Sequence, residues 1–292
     1  MRASVAYGVS ALLSALSIGV VVVLALAERE GPARCPEGLE RAGARGCGEG
    51  QSSVGGQCTG RARSCTAGQT VDASGGCTRK SQRVRLKGEF VPLGGAEWEG
   101  GGGSARKNAV RAFDIDNVEV TAARYAECVE AKACVSLAGG AAVDPPGLPL
   151  RQVSVAQAQS FCEWAGGRLP TGGEWLLAAA GKEGRRFPWG STGLVCRRAA
   201  YGLADGPCAE RGTAPDPPGS RPDGATPDGV FDLAGNVAEW TRDADGKVRA
   251  YGGSYLSTGA AELKSWAAAE RPGPAPDVGF RCVYPAEAAP PR

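Results

Sequence analysis

Apolar and polar positions alternate along Val84–Gly94 (VRLKGEFVPLG) and along Phe113–Val120 (FDIDNVEV), the period of edge or half-buried strands. Between them Gly100–Gly103 and Ser104 read as a flexible loop. After Thr121 the period becomes helical, with Ala122, Tyr125, Ala126 and Val129 on one face and Thr121 placed as the cap. Ser154 caps the next helix, and Gln157 supplies the return partner of a capping box. Val155, Ala158, Phe161, Cys162 and Ala165 recur there at helical spacing, and Gly166-Gly167 ends the run. A third helix is expected over Gly172–Gly181, entered from Pro170-Thr171. Beyond it glycine and proline come too densely for long elements. Short helices, short strands and long ordered loops define an α+β domain, bounded here at 84–285.

The amino-terminal pattern is different in kind. Met1-Arg2 gives a positive start, no charge occurs from Ala3 to Ala27, and Leu12–Leu26 is strongly apolar. Ala25-Leu26-Ala27 offers small residues around a cleavage point, followed at once by Glu28, Arg29 and Glu30. Residues 1–27 therefore read as a signal peptide. The same run is also long enough to span the ~30 Å apolar layer of a bilayer as an uncleaved anchor. Either way the chain is expected to be exported, to a periplasm, to a cell surface or into the medium.

Export changes the meaning of the 11 cysteines, because thiols oxidise outside the cytosol and scattered cysteines then serve as staples. Residues 28–80 form a glycine-rich, cysteine-rich stalk with a weak internal repeat. Cys47-Gly-Glu-Gly-Gln51 and Cys65-Thr-Ala-Gly-Gln69 open two phrases, which close at Cys58 and Cys77. Cys35 opens a similar phrase, Cys35-Pro-Glu-Gly38. So few apolar residues cannot hold a core unaided. Cys47–Cys58 and Cys65–Cys77 are the simplest pairings, although spacing does not fix connectivity. Cys35 is then left to join two chains, to pair elsewhere or to stay free.

Composition removes several function classes. With 33 basic and 31 acidic residues, no charge excess favours nucleic acid as a partner. The chain has no histidine, which excludes Ser–His–Asp triads, Cys–His dyads and histidine-ligated zinc or iron within it. No Cys-x-x-Cys occurs, so zinc-ribbon and thioredoxin-type chemistry lacks its signature.

Several phrases of the main domain resemble one family. Phe113-Asp-Ile-Asp-Asn-Val-Glu-Val-Thr121 opens the series. Val153-Ser154, then Cys162-Glu-Trp-Ala-Gly-Gly-Arg-Leu-Pro-Thr171 with Glu174-Trp175, and Phe187-Pro-Trp-Gly190 continue it. Gly229-Val-Phe-Asp-Leu-Ala-Gly-Asn-Val-Ala-Glu-Trp-Thr241, Gly252-Gly-Ser-Tyr255 and Val278-Gly-Phe-Arg-Cys282 complete it in order. Together they are similar to the signatures of the formylglycine-generating (sulfatase-modifying-factor) family. The resemblance implies a C-type-lectin-like fold with little regular secondary structure.

The resemblance also implies disulfides, ligands and an activity. Cys162 would bridge to Cys282, while spacing alone suggests two local pairs, Cys128–Cys134 at a helix end and Cys196–Cys208 around a Gly/Pro-rich excursion. A calcium site would take carboxylate oxygens from Asp232 and Glu239 and main-chain carbonyls from Gly235 and Val237, the hard donors that ion prefers. The family's oxidases hold copper(I) on two cysteine thiolates, which suit a soft ion. Those two positions are Ser257 and Glu262 here, so copper is not expected and no catalytic residue is assigned. Asp243, Asp245 and Glu262 are the only other carboxylates weighed for acid–base work, and a Gly-rich loop usually leaves such groups solvated. Arg168, Glu174, Trp175, Trp189, Trp240 and Arg281 read as scaffold, the two arginines anchoring loops. The expectation is a non-catalytic binding or scaffold module for a protein or glycan ligand. The alternative is an oxidoreductase or other enzyme of the family with altered active-site chemistry.

Overall fold

A computed structural model of the chain describes residues 79, 81–91, 109–137, 144–202 and 214–286, plus strand backbone at 52–54, 57–59, 69–71, 77–78, 92 and 107–108. All of these belong to one compact unit, residues 40–292. The expected signal peptide or anchor, the loop at 100–104 and Cys208 lie outside the described residues. Among the described residues no helix is long and apolar enough to cross a membrane.

Within the cysteine-rich stretch the two repeat phrases coincide with two antiparallel hairpins. Strand β1 (Ser52–Val54) pairs with β2 (Gln57–Thr59), and β3 (Gln69–Val71) pairs with β4 (Cys77–Arg79). Arg79 lies over the Phe231 ring, 4.3 Å from its centroid, which ties the end of β4 to the main domain.

The alternating run from Val84 is two strands rather than one: β5 (Arg83–Leu86) and β6 (Glu89–Pro92). Gly88 divides them, because a Cβ there would sit 2.9 Å from both the Ala112 nitrogen and the Val110 oxygen. Strand β6 pairs with β7 (Lys107–Val110), whereas β5 pairs with β8 (Phe113–Asp116). Strand β8 is buried on both faces, so its alternation of Phe113 and Ile115 with Asp114 and Asp116 is not a solvent-facing pattern. Asp116 accepts from Arg124 and Tyr284, and Asp114 pairs with Arg85.

Three helices follow from their caps. Thr121 accepts from the Arg124 amide at the start of α1 (Ala122–Glu130). Ser154 and Gln157 form a complete capping box on α2 (Val155–Trp164). Thr171 and Glu174 form another on α3 (Gly172–Ala180), which Gly181 closes at φ 64°. Helices α1 and α2 bury Tyr125, Phe161 and Cys162 against Trp240 and Phe280. Helix α3 buries Trp175, Leu176 and Leu177 against Phe113, Ile115 and Tyr251.

The domain closes on two sheets. Strands β9 (Ala238–Arg242), β10 (Val248–Tyr251), β11 (Ala268–Ala269) and β12 (Val278–Gly279) make one, ordered β11-β10-β9-β12 with β12 parallel to β9. Strand β13 (Val283–Pro285) joins β8 and β5 in the other. The Cys162–Cys282 disulfide spans 120 residues and staples α2 to the segment between β12 and β13. Cys128–Cys134 locks the end of α1. Cys196 is also disulfide-bonded.

Candidate functional site

The phrase Asp232–Trp240 is the crossroads of the domain. Asp232, Gly235 and Asn236 take positive φ of 57°, 84° and 59°, so the chain coils tightly before entering β9. A side chain at Gly235 would run into the Ala200 carbonyl. The Asn236 amide bonds the Ala200 oxygen at 2.9 Å, and its carbonyl accepts from Tyr255 at 2.8 Å. Its side chain accepts from the Asp216 amide and donates to Glu119, both at 2.9 Å. One asparagine thus joins four distant segments.

Behind this turn lies a buried charge cluster. Glu239 in β9 accepts from Arg281 Nε at 2.7 Å, from Arg281 Nη2 at 2.6 Å and from Trp175 Nε1 at 2.9 Å. Arg281 also donates from Nη1 to the Asp116 carbonyl and from Nη2 to the Phe231 carbonyl. Glu119 is fully buried, and its Oε2 has no hydrogen-bond partner. Burial first, and then repulsion from Asp232, holds the Glu119 carboxyl well above its usual range. Asp232 is raised by burial to about 6, against the pull of the Gly219 amide and Arg281.

These neighbours bear on the calcium expectation. Asp232, Gly235 and Val237 lie on one coiled segment, but both Glu239 oxygens are already taken by Arg281, and Trp175 adds to one of them. A divalent cation on Glu239 would share its carboxylate with a buried guanidinium, which like-charge repulsion opposes. As a set, the four residues do not fit a calcium ion while that pair is intact. Among the described residues no cluster of three or more Asp, Glu, Cys or His side chains forms a metal site.

Ser257 and Glu262 occupy the loop after β10. Ser257 is buried, and its Oγ accepts from the Ser254 amide at 3.0 Å. Ser254 Oγ donates to Asp277 at 2.9 Å, which also accepts from Arg271. Glu262 instead turns toward solvent and accepts from the Thr258 amide at 3.3 Å. Gly253, at φ 63°, lets the chain fold this closely, since a Cβ would lie 2.6 Å from the Glu262 oxygen and 2.9 Å from Ser257 Oγ. Both side chains therefore serve as hydrogen-bond acceptors closing short turns. Cys128, Cys134, Cys162, Cys196 and Cys282 are disulfide-bonded, so no thiolate among them is left for copper(I). The copper chemistry of the family does not fit this loop.

The other carboxylates weighed for acid–base work are bound separately. Asp243 accepts from the Gly172 amide at 2.8 Å, capping α3, and Asp245 accepts from the Lys247 amide at 3.0 Å within the β9–β10 turn. Sequence reasoning missed Glu119 and the Arg151 network. Arg151 pairs with Asp144 and donates to Tyr255 Oη at 2.9 Å, next to the Ser254–Ser257 turn. Glu119 is one of three acidic residues of the Phe113–Thr121 phrase, with Asp114 and Asp116, and nothing local sets it apart from them.

Fold and site together define an α+β, C-type-lectin-like domain in which a buried hydroxyl and an exposed carboxylate close the turns after β10. The sulfatase-modifying factor enzyme 1-like domain family matches residues 69–286. The chain belongs to that family. It is 36% identical over 104 residues to a hercynine oxygenase of Mycolicibacterium thermoresistibile, covering 33% of this chain and 21% of that protein. It is 35% identical over 153 residues to the inactive Cα-formylglycine-generating enzyme 2 of Bos taurus, covering 46% of this chain and 50% of that protein. The chain thus spans half or less of the length of these two relatives. Its fold is similar to that of PvdO from Pseudomonas aeruginosa, with a TM-score of 0.56 at 20% identity over 72% of this chain and 95% of that one.

Proposed function

We propose that this chain is an exported, non-catalytic member of the family that binds or scaffolds a protein or glycan ligand. The observation that carries the reading is the Ser257–Glu262 loop, where each side chain is used to close a turn. A serine hydroxyl and a solvent-facing carboxylate are hard donors, and neither supplies the soft thiolate pair that holds copper(I). The similarity to a bovine relative named as inactive supports the same reading. Export rests on the apolar segment Ala3–Ala27 and on the many cysteines.

Two measurements test the loss of oxidase chemistry. Purified protein incubated with copper(I) and desalted should retain well under one equivalent of metal. A cysteine-bearing sulfatase peptide should emerge without aldehyde. Stoichiometric copper together with aldehyde formation would overturn the reading and restore the enzyme alternative.

A further inference from the structure

A cleft of about 490 Å³ opens between the β5–β6 junction and the carboxyl-terminal end of α3. That size is within the roughly 300–1,000 Å³ of small-molecule sites. It shares no residue with the Ser257–Glu262 loop or with the Glu239–Arg281 cluster. Leu86 and Leu177, both buried, contribute its apolar lining.

Both walls are fixed before any ligand arrives. On one wall β5 and β6 keep a single antiparallel register with β8 and β7 across Gly88, where a Cβ would sit 2.9 Å from the Ala112 nitrogen and the Val110 oxygen. On the other wall Gly181, at φ 64°, ends α3 so that Arg185 folds back over the helix. Arg185 donates to the Pro188 oxygen at 3.1 Å, to the Ala179 oxygen at 3.3 Å and to Glu183 at 3.1 Å. A side chain at position 181 would collide with both Arg185 and Glu183.

The rim carries exposed charges of both signs, among them one exposed ion pair, Lys182–Glu89. Lys87 is exposed and has no hydrogen bond or ion pair among the described residues. Lys182 stands 3.8 Å from Glu89, and its side chain is 61% exposed. Asp228 is exposed and acts on Arg185 through space. A purely anionic ligand would meet Asp228 and Glu89, and a purely cationic one would meet Lys87 and Lys182. A ligand with an ammonium at one end, a carboxylate at the other and an aliphatic body between them satisfies both signs and the Leu86–Leu177 lining.

We infer that this cleft is a binding site for a small aliphatic zwitterion, the chemistry of a short free peptide. It goes beyond the protein or glycan binding proposed above, and it stands apart from the loss of copper chemistry.

The test is photolabelling of the full chain with the free tripeptide Leu–photoleucine–Leu, mapped by mass spectrometry. Saturable labelling is expected in the peptides containing Lys87, Leu177 and Lys182. Unlabelled Leu-Leu-Leu should compete at least tenfold better than its N-acetylated, C-amidated form, which lacks both charges. Lys87→Glu and Asp228→Asn should each reduce labelling about tenfold, and Lys87→Glu should leave the thermal midpoint unchanged because its side chain is exposed. Equal competition by the capped peptide, or labelling elsewhere on the chain, would overturn the assignment. Neither result bears on copper retention, so the two proposals fail separately.

Discussion

Glu239 and Arg281 form a bidentate ion pair that is buried on every side, at 1% and 0% exposure of their side chains. Trp175 donates a third hydrogen bond to the same carboxylate, so α3, β9 and the chain after β12 converge on one group.

Breaking this pair should cost far more than its net contribution, since the surviving charge stays buried. Arg281→Met is expected to destabilise by about 3–5 kcal/mol in urea denaturation. The double variant Arg281→Met/Glu239→Leu should recover part of that loss. A single-variant loss below about 1 kcal/mol would mean that water reaches the pair. Calcium and chelator should leave the midpoint unchanged. A cation at a hundredfold excess over its Kd would add about 2.7 kcal/mol, a shift large enough to see and one that would reinstate the Asp232–Glu239 calcium site.

The Cys162–Cys282 bridge makes a second prediction. Cys162→Ser and Cys282→Ser delete the same bond, so each should cost a similar ~2–5 kcal/mol and the double variant should add little. Losses that sum would show that the two sulfurs stabilise the fold independently.

Glu174 supplies a pH-dependent prediction. Burial alone would raise its carboxyl, but Arg168 at 2.6 and 2.7 Å, with the Thr171 amide, brings it below its usual range. A lowered folded pKa contributes stability that is present above the unfolded value and is lost as pH falls through the folded one. Glu174→Gln keeps a capping-box side chain but removes the charge. The gap in thermal midpoint between wild type and Glu174→Gln should be widest at neutral pH and should close as pH falls below about 4.5. A gap that stays constant down to pH 3 would show that Arg168 does not stabilise the carboxylate.

Much of this architecture was legible because it is local. Thr121, Ser154 with Gln157, and Thr171 mark helix starts through side chains that reach three residues ahead, a range that spacing reports directly. The ordered phrases from Phe113 to Cys282 carried the fold. The Glu239 environment was not legible, because its partners lie 42 and 64 residues away and nothing local distinguishes a metal-binding glutamate from an arginine-bound one. The break at Gly88 was equally hidden. It is set by backbone from residues 110–112, whereas the alternation on either side of it reads straight through.

The coiled turn before β9 can be probed with two glycines of the same backbone geometry. Gly229 and Gly235 both have φ 84°. At Gly229 an added Cβ meets nothing within 4 Å, so Gly229→Ala carries only the strain of a left-handed residue, about 1–2 kcal/mol. At Gly235 the same methyl would overlap the Ala200 carbonyl, whose oxygen is also the acceptor for the Asn236 amide. Relief requires the two segments to part, which strains that hydrogen bond and the Asn236 links to Glu119 and Asp216. Gly235→Ala should therefore destabilise by at least about 2 kcal/mol more than Gly229→Ala, the cost of overpacking plus a disturbed buried hydrogen bond. Urea midpoints of the two variants, measured side by side, decide the matter. Equal losses would show that the turn yields without disturbing Ala200, and that Asn236 does not hold the four segments together.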